Sequence, residues 1–128
     1  MDKEFVPVRE SIEIRNLGFD EPCFKLTLNG IATIVKEKTS ICLPISNSQV
    51  NNGVVYPLWQ QAFRWFQEVH GLYVEPFVDD DKTFGFLVSY FIPHGRTDMP
   101  IQGRFKTTEE RDIACIQFLI KAAKEKRV

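Results

Sequence analysis

The sequence predicts an α+β fold: an antiparallel sheet built from two hairpins, with helices on one face, in the order α-β-β-α-β-β-α. Three observations predict it. Phe24, Leu26 and Leu28 alternate with Lys25 and Thr27, run into Asn29-Gly30, and are followed by the β-branched stretch from Ile31 to Val35. Asn-Gly accepts the positive φ angles of a two-residue type I′ turn, so this is a hairpin. Pro57 to Gly71 sorts into apolar and polar sides at helical period. Leu72 to Phe77 and Thr83 to Ile92 then form a second pair of strand-like runs around a polar turn at Val78 to Lys82.

Taken in order, Pro7 and Gly18 bracket a first helix from Val8 to Leu17. Its apolar residues Val8, Ile12, Ile14 and Leu17 share no single stripe, so either two-sided packing or a shorter helix is expected. Pro22 sets a turn before the first hairpin. Residues 41–45 read as extended, residues 46–53 as a polar loop and residues 54–56 as a short edge strand. In the second helix Leu58, Trp59, Ala62, Phe63, Trp65, Phe66 and Val69 fill an arc of about 160°. Gly71 ends it as an αL residue. Thr107, with Glu110 three residues later, is a capping box that opens a third helix running to Lys124. Its apolar face carries Ile113, Ile116, Leu119, Ile120 and Ala123, extended by Cys115, Phe118 and Ala122.

The chain has 128 residues, which predicts one domain over 1–128. A formal charge of −1 provides no overall field for nucleic acid or an anionic membrane. The 44% hydrophobic and 26% charged content excludes a disordered or fibrous chain. No run approaches the roughly 20 apolar residues of a membrane helix, and the start Met1-Asp2-Lys3-Glu4-Phe5 carries no secretory signal, so a cytosolic protein is expected. Three cysteines, Cys23, Cys42 and Cys115, have no disulfide or zinc spacing and read as buried thiols. Eleven Phe, three Tyr and two Trp are a surplus that core packing or an interface must absorb.

The stretch from Leu17 to Phe24 (Leu-Gly-Phe-Asp-Glu-Pro-Cys-Phe), Gln61-Ala62-Phe63-Arg64-Trp65-Phe66 with His70-Gly71-Leu72, and residues 107–119 with Ala114-Cys115 resemble a family of small uncharacterised proteins. That family is encoded by Bacteroides-type gut bacteria and by their tailed phages and mobile elements. The resemblance covers most of the chain and implies a cytosolic location and a phage or mobile-element setting. It implies no reaction and no catalytic residue, and residues 31–53 and 93–106 lie outside it.

Candidate chemistry concentrates from Pro93 to Lys106, fourteen residues without apolar periodicity. Catalytic candidates there are His94, a base, and Asp98, its orienting carboxylate. With Arg96 and Arg104 they define the enzyme alternative, a small enzyme acting on a phosphate-like substrate. Arg96, Arg104 and Lys106 are the anion-binding or nucleic-acid candidates, beside the strand aromatics Phe84, Phe86, Tyr90 and Phe91; they define the alternative of a single-stranded nucleic-acid-binding module. His70, next to a helix-ending glycine, reads as a partner of the helix dipole. Asp79-Asp80-Asp81 lacks the alternation, central Gly and distal Glu of a calcium loop, so no metal is expected. No Walker, Rossmann or nucleophile-elbow motif is present, and no cofactor is expected. Phe63, Arg64, Trp65 and Phe118, at the edges of the apolar arcs, are the candidate interaction surface. The expected function is an accessory or protein-interaction factor, with a protein partner or a second copy of itself.

Overall fold

The computed structural model describes residues 4–21, 23, 25–28, 31–34, 47 and 53–126. The fold is α+β with antiparallel pairing throughout the described strands. By its internal packing the chain divides into two compact units, Met1–Trp59 and Gln60–Val128.

The first unit opens with α1 (Val8–Asn16), capped by Pro7 at φ −59° and ψ 160°. Gly18 takes φ 105° and donates to the Arg15 carbonyl at 2.9 Å, while Phe19 N–H donates to the Ile14 carbonyl at 3.2 Å. This is a Schellman stop, and the two residues it brings together, Ile14 and Phe19, are both buried. The scattered apolar residues resolve by burial: Ile14 and Leu17 face inward, whereas Val8 and Ile12 face outward. Their inward place is taken by Ser11, whose hydroxyl donates to the Val6 carbonyl at 3.1 Å and is thereby satisfied.

Strands β1 (Lys25–Leu28), β2 (Ile31–Ile34) and β3 (Gly53–Tyr56) form a sheet in the order β2-β1-β3. Leu28 pairs with Ile31, the register of a hairpin with a two-residue loop. The turn at Asn29-Gly30, Phe24, Pro22, Cys42, the extended reading of residues 41–45 and most of the 46–53 loop lie outside the described residues. Asn47 is described, and its side chain is a clamp: Nδ2 donates to the Phe19 carbonyl at 2.9 Å and Oδ1 accepts Val55 N–H at 3.0 Å. It ties the chain leaving α1 to β3. Val54, Tyr56 and Phe5 form a core cluster behind that strand.

Helix α2 (Trp59–His70) starts two residues later than the sequence predicts. The Pro57 carbonyl accepts Val6 N–H at 2.9 Å and Leu58 forms a β-bridge with Phe5, so this backbone is committed to an extended pairing. Gly71, at φ 67°, donates to the Gln67 carbonyl at 3.1 Å and ends the helix as expected.

In the second unit β4 (Tyr73–Val78) and β5 (Phe84–Ile92) form the predicted second hairpin. Its loop is a type I turn: Lys82 N–H donates to the Asp79 carbonyl at 2.9 Å, Lys82 follows at φ 63°, and Asp79 N–H closes the pair on the Thr83 carbonyl at 2.8 Å. Asp81 Oδ1 accepts the Thr83 hydroxyl at 2.6 Å, which fixes the aspartates as turn residues. The left-handed conformation costs an L-residue about 1–2 kcal/mol, more than the roughly 0.4–1 kcal/mol of unfolded-state freedom that a glycine adds. Lys82→Gly is therefore expected to stabilise by about 0.5–1 kcal/mol, read from the urea midpoint.

Because Asp79 N–H points at β5, alternation turns the N–H groups of residues 73, 75 and 77 inward and position 76 outward. Pro76 thus stands where the outer edge of β4 would otherwise show a donor.

The segment from Pro93 to Lys106, expected as a loop, is largely β-structure: β6 (Gly95–Asp98) and β7 (Gln102–Phe105) both pair with β5, on the edge opposite β4. Their residues are mostly exposed and polar, so backbone pairing to a long central strand forms them rather than any burial pattern. Helix α3 (Thr108–Lys126) follows the predicted capping box: Glu110 N–H donates to Thr107 Oγ1 at 3.1 Å, and Glu110 Oε2 accepts the Lys106 amide at 3.1 Å. Of its predicted apolar face, Ile116, Leu119, Ile120 and Ala123 are buried and Ile113 is half-buried; Cys115 and Ala122 from the extension of that face are also buried, and the helix packs on β5 and β7.

Candidate functional site

Cross-strand pairs share a face, so the register divides the second sheet into two sides. On one side Phe86 stacks on Phe105 at 6.0 Å and meets Phe118 edge-on at 5.8 Å, and the Arg111 guanidinium lies over the Phe84 ring at 5.7 Å. That side belongs to α3. The other side carries Tyr73, Glu75 and Phe77 of β4, which pair with Ser89, Leu87 and Gly85 of β5. Asp98 and Arg96 of β6 continue it opposite Ser89 and Phe91.

At the middle of this second side stands a charge network. Arg96 Nε donates to Asp98 Oδ1 at 2.6 Å and Arg96 Nη1 to Glu75 Oε1 at 3.2 Å, reaching across β5. The Ser89 hydroxyl, almost fully buried, donates to the same Asp98 oxygen at 2.8 Å. The hydrogen bond from Arg96, then that from Ser89, holds the Asp98 carboxyl below the ordinary carboxylate range. Exposed ion pairs contribute little stability, so the network organises the face more than it holds the fold. Beside it Tyr73 and Phe91 meet edge-to-face at 5.1 Å, and Phe91 remains 62% exposed.

A carboxyl whose pKa is lower in the folded chain than its unfolded value of about 3.9 contributes stability above that pH, and the contribution is lost as pH falls through the folded value. Asp98→Asn is expected to lower the thermal midpoint slightly at neutral pH, where the ionised carboxylate contributes, and to match the parent near pH 2, where that contribution is lost, so that the variant's acid decline is the flatter one. Midpoints recorded from pH 2 to 7 check this.

The proposed catalytic loop is not one site. His94 occupies the exposed turn beyond Ile92, Asp98 lies opposite Ser89, and Arg104 sits beside Gly85 at the other end of β5. At about 3.3 Å per residue, His94 and Arg104 are roughly 25 Å apart along the strand. The anion-binding trio is divided the same way: Arg96 is held by two carboxylates, while Arg104 and Lys106 belong to the opposite end, where the Arg104 charge acts on Asp81. Phe86, one of the aromatics proposed for base stacking, is buried under α3.

Of the candidate interaction residues, Trp65 is 4% exposed, its ring packed edge-on against Phe66 at 5.1 Å and His70 at 4.9 Å, so it is a core residue rather than a surface one. His70, expected as a dipole partner, thus also joins an aromatic cluster. Phe118 is half-buried against Phe86, Phe63 is half-buried, and Arg64 is exposed. Glu75 and Ser89, central to the network, were not legible as site residues. Their only signal is polarity within otherwise apolar strands.

Cys23 and Cys115 are buried, and burial, then the charge of Asp112, pushes the Cys115 thiol up. In a Cys42→Ser background both are expected to resist a disulfide-exchange reagent in the native state and to react promptly in urea; fast native labelling contradicts their placement. No group of three or more His, Cys, Asp or Glu among the described residues is placed to hold a metal ion. No helix among the described residues is long and apolar enough to cross a membrane. Comparison of the chain with family models, with curated proteins and with solved structures finds no match.

Proposed function

We propose that the chain is a non-catalytic interaction module that recognises another protein through the open side of its second sheet. The observation that carries this reading is the Glu75–Arg96–Asp98 network beside the exposed Phe91 and its half-buried neighbour Tyr73. Charged side chains that a catalytic loop would direct at substrate are directed at one another. An aromatic pair next to an arginine on an uncovered surface has the composition of a protein interface centre. A cytoplasmic location and a phage or mobile-element setting belong to the same proposal, resting on the resemblance of residues 17–24, 57–72 and 107–119.

The test is site-specific photo-cross-linking in cells, with a benzophenone amino acid in place of Phe91 and, as the control, in place of Glu125 on the exposed side of α3. Discrete protein adducts at position 91 and none at 125 support the reading. Absence of adducts at 91, or the same adducts at both positions, ends it.

A further inference from the structure

We infer that the partner, under the interaction reading just given, presents a basic segment in which lysine or arginine side chains flank an apolar one. The inference rests on charge complementarity. On the open side of the sheet two carboxylates, Glu75 and Asp98, share a single guanidinium, Arg96. Among the described residues one negative charge therefore stays uncompensated at the centre of the face. Asp79 adds a second: it pairs with Thr83, and its Oδ2 lies 3.7 Å from where a Cβ on Gly103 would stand, which places it over the same side. Arg104 lies at the Asp79 end of the sheet, where its charge also acts on Asp81, whose carboxyl is lowered first by the Thr83 hydrogen bond.

The apolar half of the complementarity is Phe91, 62% exposed, with Tyr73 set perpendicular to it. Ring faces beside surplus carboxylates attract cations twice, through the ring quadrupole and through the negative charge. A nucleic acid would bring phosphates to the same surplus and be repelled. An acidic peptide would meet the same barrier.

The probe is a fluorescein-labelled (Lys-Phe-Ser)4 peptide, with (Glu-Phe-Ser)4 as its charge-reversed counterpart, titrated by anisotropy against the full chain. The lysine peptide is expected to bind at least tenfold more tightly than the glutamate peptide. Phe91→Ala, and separately the pair Glu75→Gln with Asp98→Asn, are each expected to weaken it at least fivefold, with urea midpoints reported alongside to show that both variants fold. Glu109→Gln with Glu125→Gln, which removes the same charge from α3, is expected to change binding less than twofold. Equal binding of both peptides, no binding of the lysine peptide at millimolar concentration, or an equal loss in the α3 variant overturns the inference. If any of these occurs while position 91 still cross-links a discrete protein, the interaction reading stands and only the basic character of the partner is wrong.

Discussion

Phe86→Ala is expected to cost about 3–5 kcal/mol, a large part of a small fold's total stability of about 5–15 kcal/mol. The ring is 2% exposed and touches two others, Phe105 in a near-parallel stack and Phe118 edge-on, so its removal leaves a cavity between β5, β7 and α3. Both neighbouring rings are held by their own elements, which limits their collapse into it. Phe91→Ala, five residues along the same strand on the other side, is expected to change stability by no more than about 0.5 kcal/mol. Urea denaturation of the two variants, compared with the parent, measures the contrast. Similar losses for both contradict the division of the sheet into a packed and an open side.

Gly85→Ala is expected to cost about 1–3 kcal/mol, although only one methyl group is added. A Cβ at that position would stand 2.5 Å from Phe77 Cζ and 2.6 Å from the Gln102 carbonyl oxygen. The ring can rotate away, but the carbonyl belongs to β7, which is anchored on β5 at Phe84 and Phe86 on either side of an irregular register. Adding Phe77→Ala to Gly85→Ala is therefore expected to recover only part of the loss. Full recovery in a double-mutant cycle would locate the conflict in the ring alone.

The two cases show where sequence carries structural information. Helix ends were legible because Gly18 and Gly71 occupy the one backbone region that other residues avoid, and because Thr107 and Glu110 satisfy amides that every helix start exposes. The two hairpins were legible from turn chemistry. Strands β6 and β7 were not, since their side chains are polar and exposed, and a ladder of backbone hydrogen bonds leaves no trace in residue type. The early part of α2 was misread for a related reason: Pro57 suits a first helical turn, yet its carbonyl is used by Val6, fifty-one positions earlier in the chain. Trp65 sits at the edge of a helical arc, and an angle on a helical wheel does not say how far a neighbour extends, so its burial could not be inferred.

The candidate face follows the same logic. The charged residues of β6 were visible in the sequence as a polar cluster. Their meaning depended on Glu75, twenty-one positions away from Arg96, and on Ser89 beneath Asp98, neither of which any local pattern could attach to them. Only the register of β4 and β6 against β5 brings the three strands' side chains together, and it turns a presumed catalytic loop into one edge of a surface.

Pro76 determines how that surface can be used. With its nitrogen at the outer rim of β4, the rim offers carbonyls at residues 74, 76 and 78 but donors only at 74 and 78. An incoming strand would find the middle donor of its ladder missing, which disfavours sideways growth of the sheet into a fibre or recruitment of a ligand as an extra strand on that flank. On the interaction reading, selectivity along that flank would be written in side chains rather than in main chain: a partner there would be recognised by what it carries, not by the conformation in which its backbone arrives.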